Sequence, residues 1–251
     1  MNSNDIHPEV KDEYQHWRLS QQILEDVIHY LSAKGNKSQV KAGLENTLMN
    51  LQPSHEIYGQ DLFLNTDFNS IKSGFEYAKL MLTEFEVQHC FQLIQSASYT
   101  FFKNIKPPLL AKINAEHFEI GVFELKRNQY IDKAFEFVKS KSDATIAANA
   151  FLRSALRYAS IYAETRHIGP PQKVYDLFYD WGIRNEGFAS PFNARLLGKP
   201  DAQFYSLFKD TDEIFGSAGS FFKLRRPENP GHWCLDPPFT SEIMTKVDHI
   251  L

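Results

Sequence analysis

Apolar residues return every three or four positions through most of the first 165 residues of this 251-residue chain, and beyond residue 182 that rhythm breaks. A spacing of three and four lines apolar side chains along one face of a helix, so helices packed on a shared core dominate the expected fold. Over residues 5–31, Trp17, Ile23, Leu24, Val27, Ile28 and Leu31 keep this spacing, and Lys34-Gly35-Asn36 ends the run. A second helix is expected over 38–51, closed by Gln52-Pro53-Ser54, and 57–69 reads as a loop with aromatic anchors. Residues 71–105 are densely apolar without a proline, which predicts one long helix or two abutting ones. Lys106-Pro107-Pro108 stops it, because the residue before a proline is pushed out of the α region. Residues 109–125 fit either state, with 117–123 a candidate strand. Helices are expected again over 128–139 and over 143–166, the latter capped by Ser142. Gly169-Pro170-Pro171 and Trp181-Gly182 bracket one more.

From Ile183 the texture is that of strands and turns. Residues 183–188 fit a strand, with Ala189-Ser190-Pro191 as its turn, and 193–208 carry a helix-like or mixed pattern. Asp210-Thr211-Asp212-Glu213 reads as a solvated acidic loop rather than a metal site. Residues 216–220 and 225–231 are turns, and His232-Trp233-Cys234-Leu235 is a buried strand that delivers Asp236 to its end. Residues 241–251 start a helix at Ser241. With 43% hydrophobic residues and 14% aromatic, a chain of this length buries a sizeable core. The 27 basic and 31 acidic residues nearly balance, so no global positive field draws the chain to nucleic acid. Cys90 and Cys234, far apart and unlike a metal pair, fit core positions in a reducing intracellular compartment. No secretory leader or membrane-spanning run is read.

The chemistry concentrates in Asp236-Pro237-Pro238-Phe239. An exocyclic amine on a base is a poor nucleophile, because its lone pair is spread into the ring. Two acceptors that take both amine hydrogens leave that lone pair aimed at an incoming methyl group. Asp236 offers a side-chain oxygen and Pro237 a backbone carbonyl, while prolines fix φ and carry no N–H. Phe239 is placed to stack on the base. His232 beside Trp233 reads as a strand-end histidine rather than a base, and Arg225-Arg226 as either a phosphate contact or a solvated loop.

Three ordered blocks extend this motif. Residues 186–193 (Glu-Gly-Phe-Ala-Ser-Pro-Phe-Asn), residues 208–217 with Phe215-Gly216-Ser217, and Leu235 to Phe239 together resemble the methyltransferase core of the phosphorylated-CTD-interacting-factor family, from about residue 157 onward. The resemblance implies an S-adenosylmethionine-dependent adenine N6-methyltransferase acting on RNA, at the cap-adjacent adenosine. It places Asp236, Pro237, Pro238 and Phe239 at the adenine. Glu186, Phe188, Ala189, Ser190, Pro191 and Asn193 fall at the cofactor, and Phe215, Gly216 and Ser217 beside the same cleft at the substrate; Arg225 and Arg226 are added as substrate contacts from their charge alone. It also implies a helical domain over 1–165 that helps hold RNA, followed over 166–251 by an α/β Rossmann-like core.

The sequence departs from the family at three points. Asp236 stands where the family usually has Asn; an ionised Asp accepts hydrogen bonds, so amine activation is kept. The WW domain of the animal members is read as absent, and with it recruitment to the polymerase tail. Twelve residues follow Phe239, whereas a sheet of this type extends roughly three strands further, so the core is expected to be incomplete. The competing expectation is therefore a catalytically incompetent binding or scaffold module, whose open sheet is covered by a partner chain or by self-association.

Overall fold

The computed structural model describes Met1 and residues 5–51, 62–101, 109–163, 169–224, 231–238 and 241–250. Helix α1, Pro8–Tyr30, starts where His7 accepts the Glu9 N–H at 3.4 Å and Pro8 fills a first-turn position whose N–H would have no helical partner. Helix α2 spans Lys37–Leu51. The apolar stretch after it is two separate helices, α3 (Phe68–Tyr77) and α4 (Glu84–Phe101). Local hydrogen bonding, not periodicity, makes the break. Lys79 turns into the left-handed region at φ 58°, the Leu80 N–H reaches back to the Phe75 carbonyl, and Glu86 accepts from the Thr83 N–H at 2.8 Å.

Residues 109–125 resolve into an antiparallel sheet, β1 (Ala111–Ile113), β2 (His117–Ile120) and β3 (Phe123–Lys126), so the amino-terminal part is helical with a sheet set into it. The sheet drives Phe118 into the core, 4.2 Å from Phe151 and 4.9 Å from Phe135. Those partners come from α5 (Gln129–Lys139) and α6 (Ala144–Ser160). Asp143 caps α6 in place of Ser142, taking the Thr145 and Ile146 N–H groups at 2.9 Å, while the Ser142 hydroxyl donates to the Val138 carbonyl.

Helix α7, Gln172–Asp180, leads into a parallel sheet of β4 (Ile183–Gly187), β5 (Gln203–Phe204) and β6 (His232–Leu235), in the order β5-β4-β6. The short helix α8 (Lys209–Asp212) lies between β5 and β6, and α9 (Ser241–Ile250) follows. Residues 193–208 are turns around the two-residue β5, not a helix. A buried carboxylate explains part of this: Glu186 accepts the N–H groups of Arg195 and Leu196 at 3.2 and 2.9 Å, so those amides have partners without a helical ladder. The acidic tetrapeptide is also not a solvated loop, since Asp212 is fully buried. The whole is mostly helical with two small sheets. The described residues do not contain the doubly wound sheet of a Rossmann-type methyltransferase.

One hydrophobic core runs from Ile6 to Phe215, continuous across residue 165, with Phe151 5.4 Å from Phe192 and Tyr158 5.1 Å from Phe208. Tyr205, Phe221, Ile243 and Val247 form a smaller one beneath β6 and α9. Helices α2 and α3 cross closely at Gly43 and Gly74. A Cβ on Gly74 would lie 2.6 Å from the Gly43 carbonyl oxygen, and backbone cannot yield as a flexible side chain does. We expect Gly74→Ala to destabilise by about 1–3 kcal/mol, read as a lower midpoint in urea unfolding.

Candidate ligand cavity at the carboxyl ends of the parallel strands

The register of the parallel sheet sets the site. Gly187 pairs with Leu235 at the last step of β4 and β6, so the chain leaves these neighbours as Phe188 and Asp236. Strand β5 ends one residue before Tyr205, whose N–H donates to the Glu186 carbonyl and whose carbonyl accepts from the Ala189 N–H, both at 2.8 Å. Phe188 sits between these bonds at φ 61°, a left-handed conformation that a bulky side chain adopts only when its surroundings enforce it. The next turn closes on itself: Asn193 accepts the Ser190 N–H at 2.6 Å, and the Ser190 hydroxyl takes the Phe192 N–H at 3.2 Å.

All three strand ends open into one cavity of about 390 Å³, within the range of small-molecule sites. Ligands in open parallel sheets bind at this end of the strands. From the motif segments the wall takes Asp236, Pro237 and Pro238, with Phe188, Ala189, Ser190 and Asn193. Phe239, Arg225 and Arg226 lie outside the described residues. The structure does not place the remaining motif residues in the wall. Glu186 is buried behind β4 with its carboxylate on the two backbone N–H groups; burial pushes its pKa up, and those amides oppose the shift. Pro191 is buried. Phe215 packs in the main core 6.4 Å from Phe192, Gly216 caps a short turn at φ 88°, and the Ser217 hydroxyl meets that of Ser206 at 2.6 Å. His232 pairs with Ile183 at the opposite end of the sheet from Asp236.

The rest of the wall had no recognisable local signal. Tyr205, Ser206 and Leu207 follow β5, Ser220, Phe221 and Phe222 come from the end of the 216–220 turn and the two residues after it, and Tyr158 and Ala163 come from α6 and the residues after it. Glu45, Asn46, Met49 and Tyr77, from α2 and α3, close the remaining side. Phe188 lies 4.8 Å from Phe221 and 5.4 Å from Phe222, and Tyr205 lies 5.0 Å from Trp233. Among the described lining residues the charged groups are Glu45 and Asp236, both acidic. Aromatic faces beside carboxylates suit a planar ring, a hydrogen-bond donor or an organic cation; none of the described lining residues offers a positive charge to a phosphate.

The two cysteines are free thiols. Burial and the nearby Glu86 raise the pKa of Cys90 to about 12, and Cys234 on β6 donates to the Tyr175 hydroxyl at 3.5 Å. No group of metal-binding side chains occurs among the described residues, and no helix there is long and apolar enough to cross a membrane.

Fold and site thus define a helical protein with an acidic, aromatic-walled ligand cavity at the ends of a small parallel sheet. The family model described as Phosphorylated CTD interacting factor 1 WW domain matches residues 129–251. This supports the phosphorylated-CTD-interacting-factor family and begins earlier than the sequence resemblance, at α5. It also corrects the expectation that the WW domain is absent, because the matching model bears that description. None of the curated proteins and none of the solved structures matches the chain.

Proposed function

We propose that the chain is an S-adenosylmethionine-dependent adenine N6-methyltransferase acting on RNA, with a cap-adjacent adenosine as acceptor. The observation that carries this reading is the convergence of Asp236-Pro237-Pro238 and of Phe188, Ala189, Ser190 and Asn193 on one cavity, from segments more than forty residues apart in the chain. The lining fits the cofactor: aromatic faces for its adenine, and carboxylates with aromatic rings for its positive charge. Bound there, S-adenosylmethionine supplies an electrophilic methyl group. Asp236 and the Pro237 carbonyl accept the two hydrogens of the target amine, which leaves its lone pair directed at the donor side. The prolines hold that carbonyl without competing N–H groups. Helices α2 and α3 close the cavity toward the amino-terminal half and limit water around the reacting atoms. The protein's contribution is positioning, with no covalent enzyme intermediate.

Titration calorimetry tests the cofactor. Micromolar binding of S-adenosylmethionine is expected, and no binding by a folded, monodisperse sample overturns the proposal. The family description favours a second reading, a module that binds a phosphorylated CTD. That reading predicts binding of a phosphorylated CTD peptide with no response to S-adenosylmethionine.

A further inference from the structure

One wall residue is held by a group that the cavity does not contain. Tyr158 lines the cavity, and its hydroxyl donates to Asp212 of α8 at 2.7 Å. Asp212 is fully buried and also accepts from the hydroxyls of Ser154 at 2.8 Å and Thr211 at 3.0 Å. Ser206, a second wall residue, lies beside the same pair, with its hydroxyl on that of Ser217 at 2.6 Å. Among the described residues no cation forms an ion pair with Asp212. Burial pushes its carboxyl pKa up, and the surrounding hydroxyls oppose that shift. A carboxylate buried among hydroxyls alone is expensive to keep, and an apolar side chain would fill the space at lower cost. Tyr158 is clamped further by the ring edges of Phe208 at 5.1 Å and Phe192 at 5.8 Å.

We propose that Asp212 is a positioning residue for the cavity: by accepting the hydrogen bond of the Tyr158 hydroxyl beside Ser206, it fixes the wall against which the bound nucleoside lies. The proposal rests on the methyltransferase reading and names a residue which that reading leaves unused. A wall side chain locked by a buried acceptor keeps one orientation before the ligand arrives, so binding does not have to order it.

The test is a double-mutant cycle on the binding of S-adenosylmethionine by the full chain, with Tyr158→Phe, Asp212→Asn and both together. Each single change is expected to weaken binding about tenfold. The double variant should bind no more weakly than the worse single, because Asp212 acts through Tyr158. Ser154→Ala serves as the comparison, since it removes a hydroxyl from the same carboxylate but touches no wall. It should lower the unfolding midpoint and leave affinity unchanged. Multiplying effects in the double variant, unchanged affinity in Asp212→Asn, or an equal loss in Ser154→Ala would each overturn the proposal. A wild-type chain that fails to bind S-adenosylmethionine overturns the methyltransferase reading and this inference together. A wild-type chain that binds while the variants do not follow the pattern overturns the inference alone.

Discussion

Asp236→Ala should lower methyl transfer to adenine-containing RNA by about 100-fold or more, the scale seen when one preorganised hydrogen-bonding group is removed from a reacting centre. The side chain is exposed at the mouth of the strand, so the change should leave stability within about 0.5 kcal/mol. A loss of rate would then report chemistry and not unfolding. Asp236→Asn should stay within about tenfold of the wild type, because the amide oxygen still accepts one amine hydrogen. A labelled-methyl assay decides it. Full activity in the alanine variant would remove Asp236 from the mechanism.

Arg157→Met should destabilise the fold by about 3–5 kcal/mol, measured by urea unfolding. Arg157 is 4% exposed, and its guanidinium forms a two-pronged pair with Glu13 and reaches Asp210 at 3.2 Å. These contacts tie α1, α6 and α8 together. Burial opposes the guanidinium's charge, but the Glu13 and Asp210 carboxylates outweigh it and hold its pKa above the usual arginine value. Removing the cation alone strands a buried carboxylate on Glu13, whereas replacing Glu13 and Arg157 together by leucine should cost far less. If the single and double variants unfold at the same midpoint, the pair has no coupling of this kind.

The helices were legible where an apolar face coincided with a capping residue. Helices α1, α2 and α5 fall within a few residues of the spans that periodicity predicts. The misses have physical causes. Periodicity continued through 71–105, and only the left-handed Lys79 and the Thr83–Glu86 bonds separate α3 from α4. The sheet at 111–126 was hidden because strands this short carry too few alternating residues to stand out from a helix. Asp212 looked solvated because an acidic tetrapeptide usually is; buried, it is met by hydroxyls of α6 that lie 58 and 54 residues away in the chain.

The site divides in the same way. Sequence alone marked Asp236-Pro237-Pro238 and the segment around Phe188 to Asn193 as candidates, because each is a local pattern at the end of an expected strand. Which of these residues share a cavity was decided by tertiary structure. Glu186, Phe215 and Ser217 belong to the same sequence blocks but are turned into the core, since alternate side chains on a strand point to opposite faces and the turns past it are set by hydrogen bonds to other elements. Glu45, Met49, Tyr77 and Tyr158 reach the cavity only because α2, α3 and α6 pack against the strand ends, and packing between distant segments leaves no pattern in the chain.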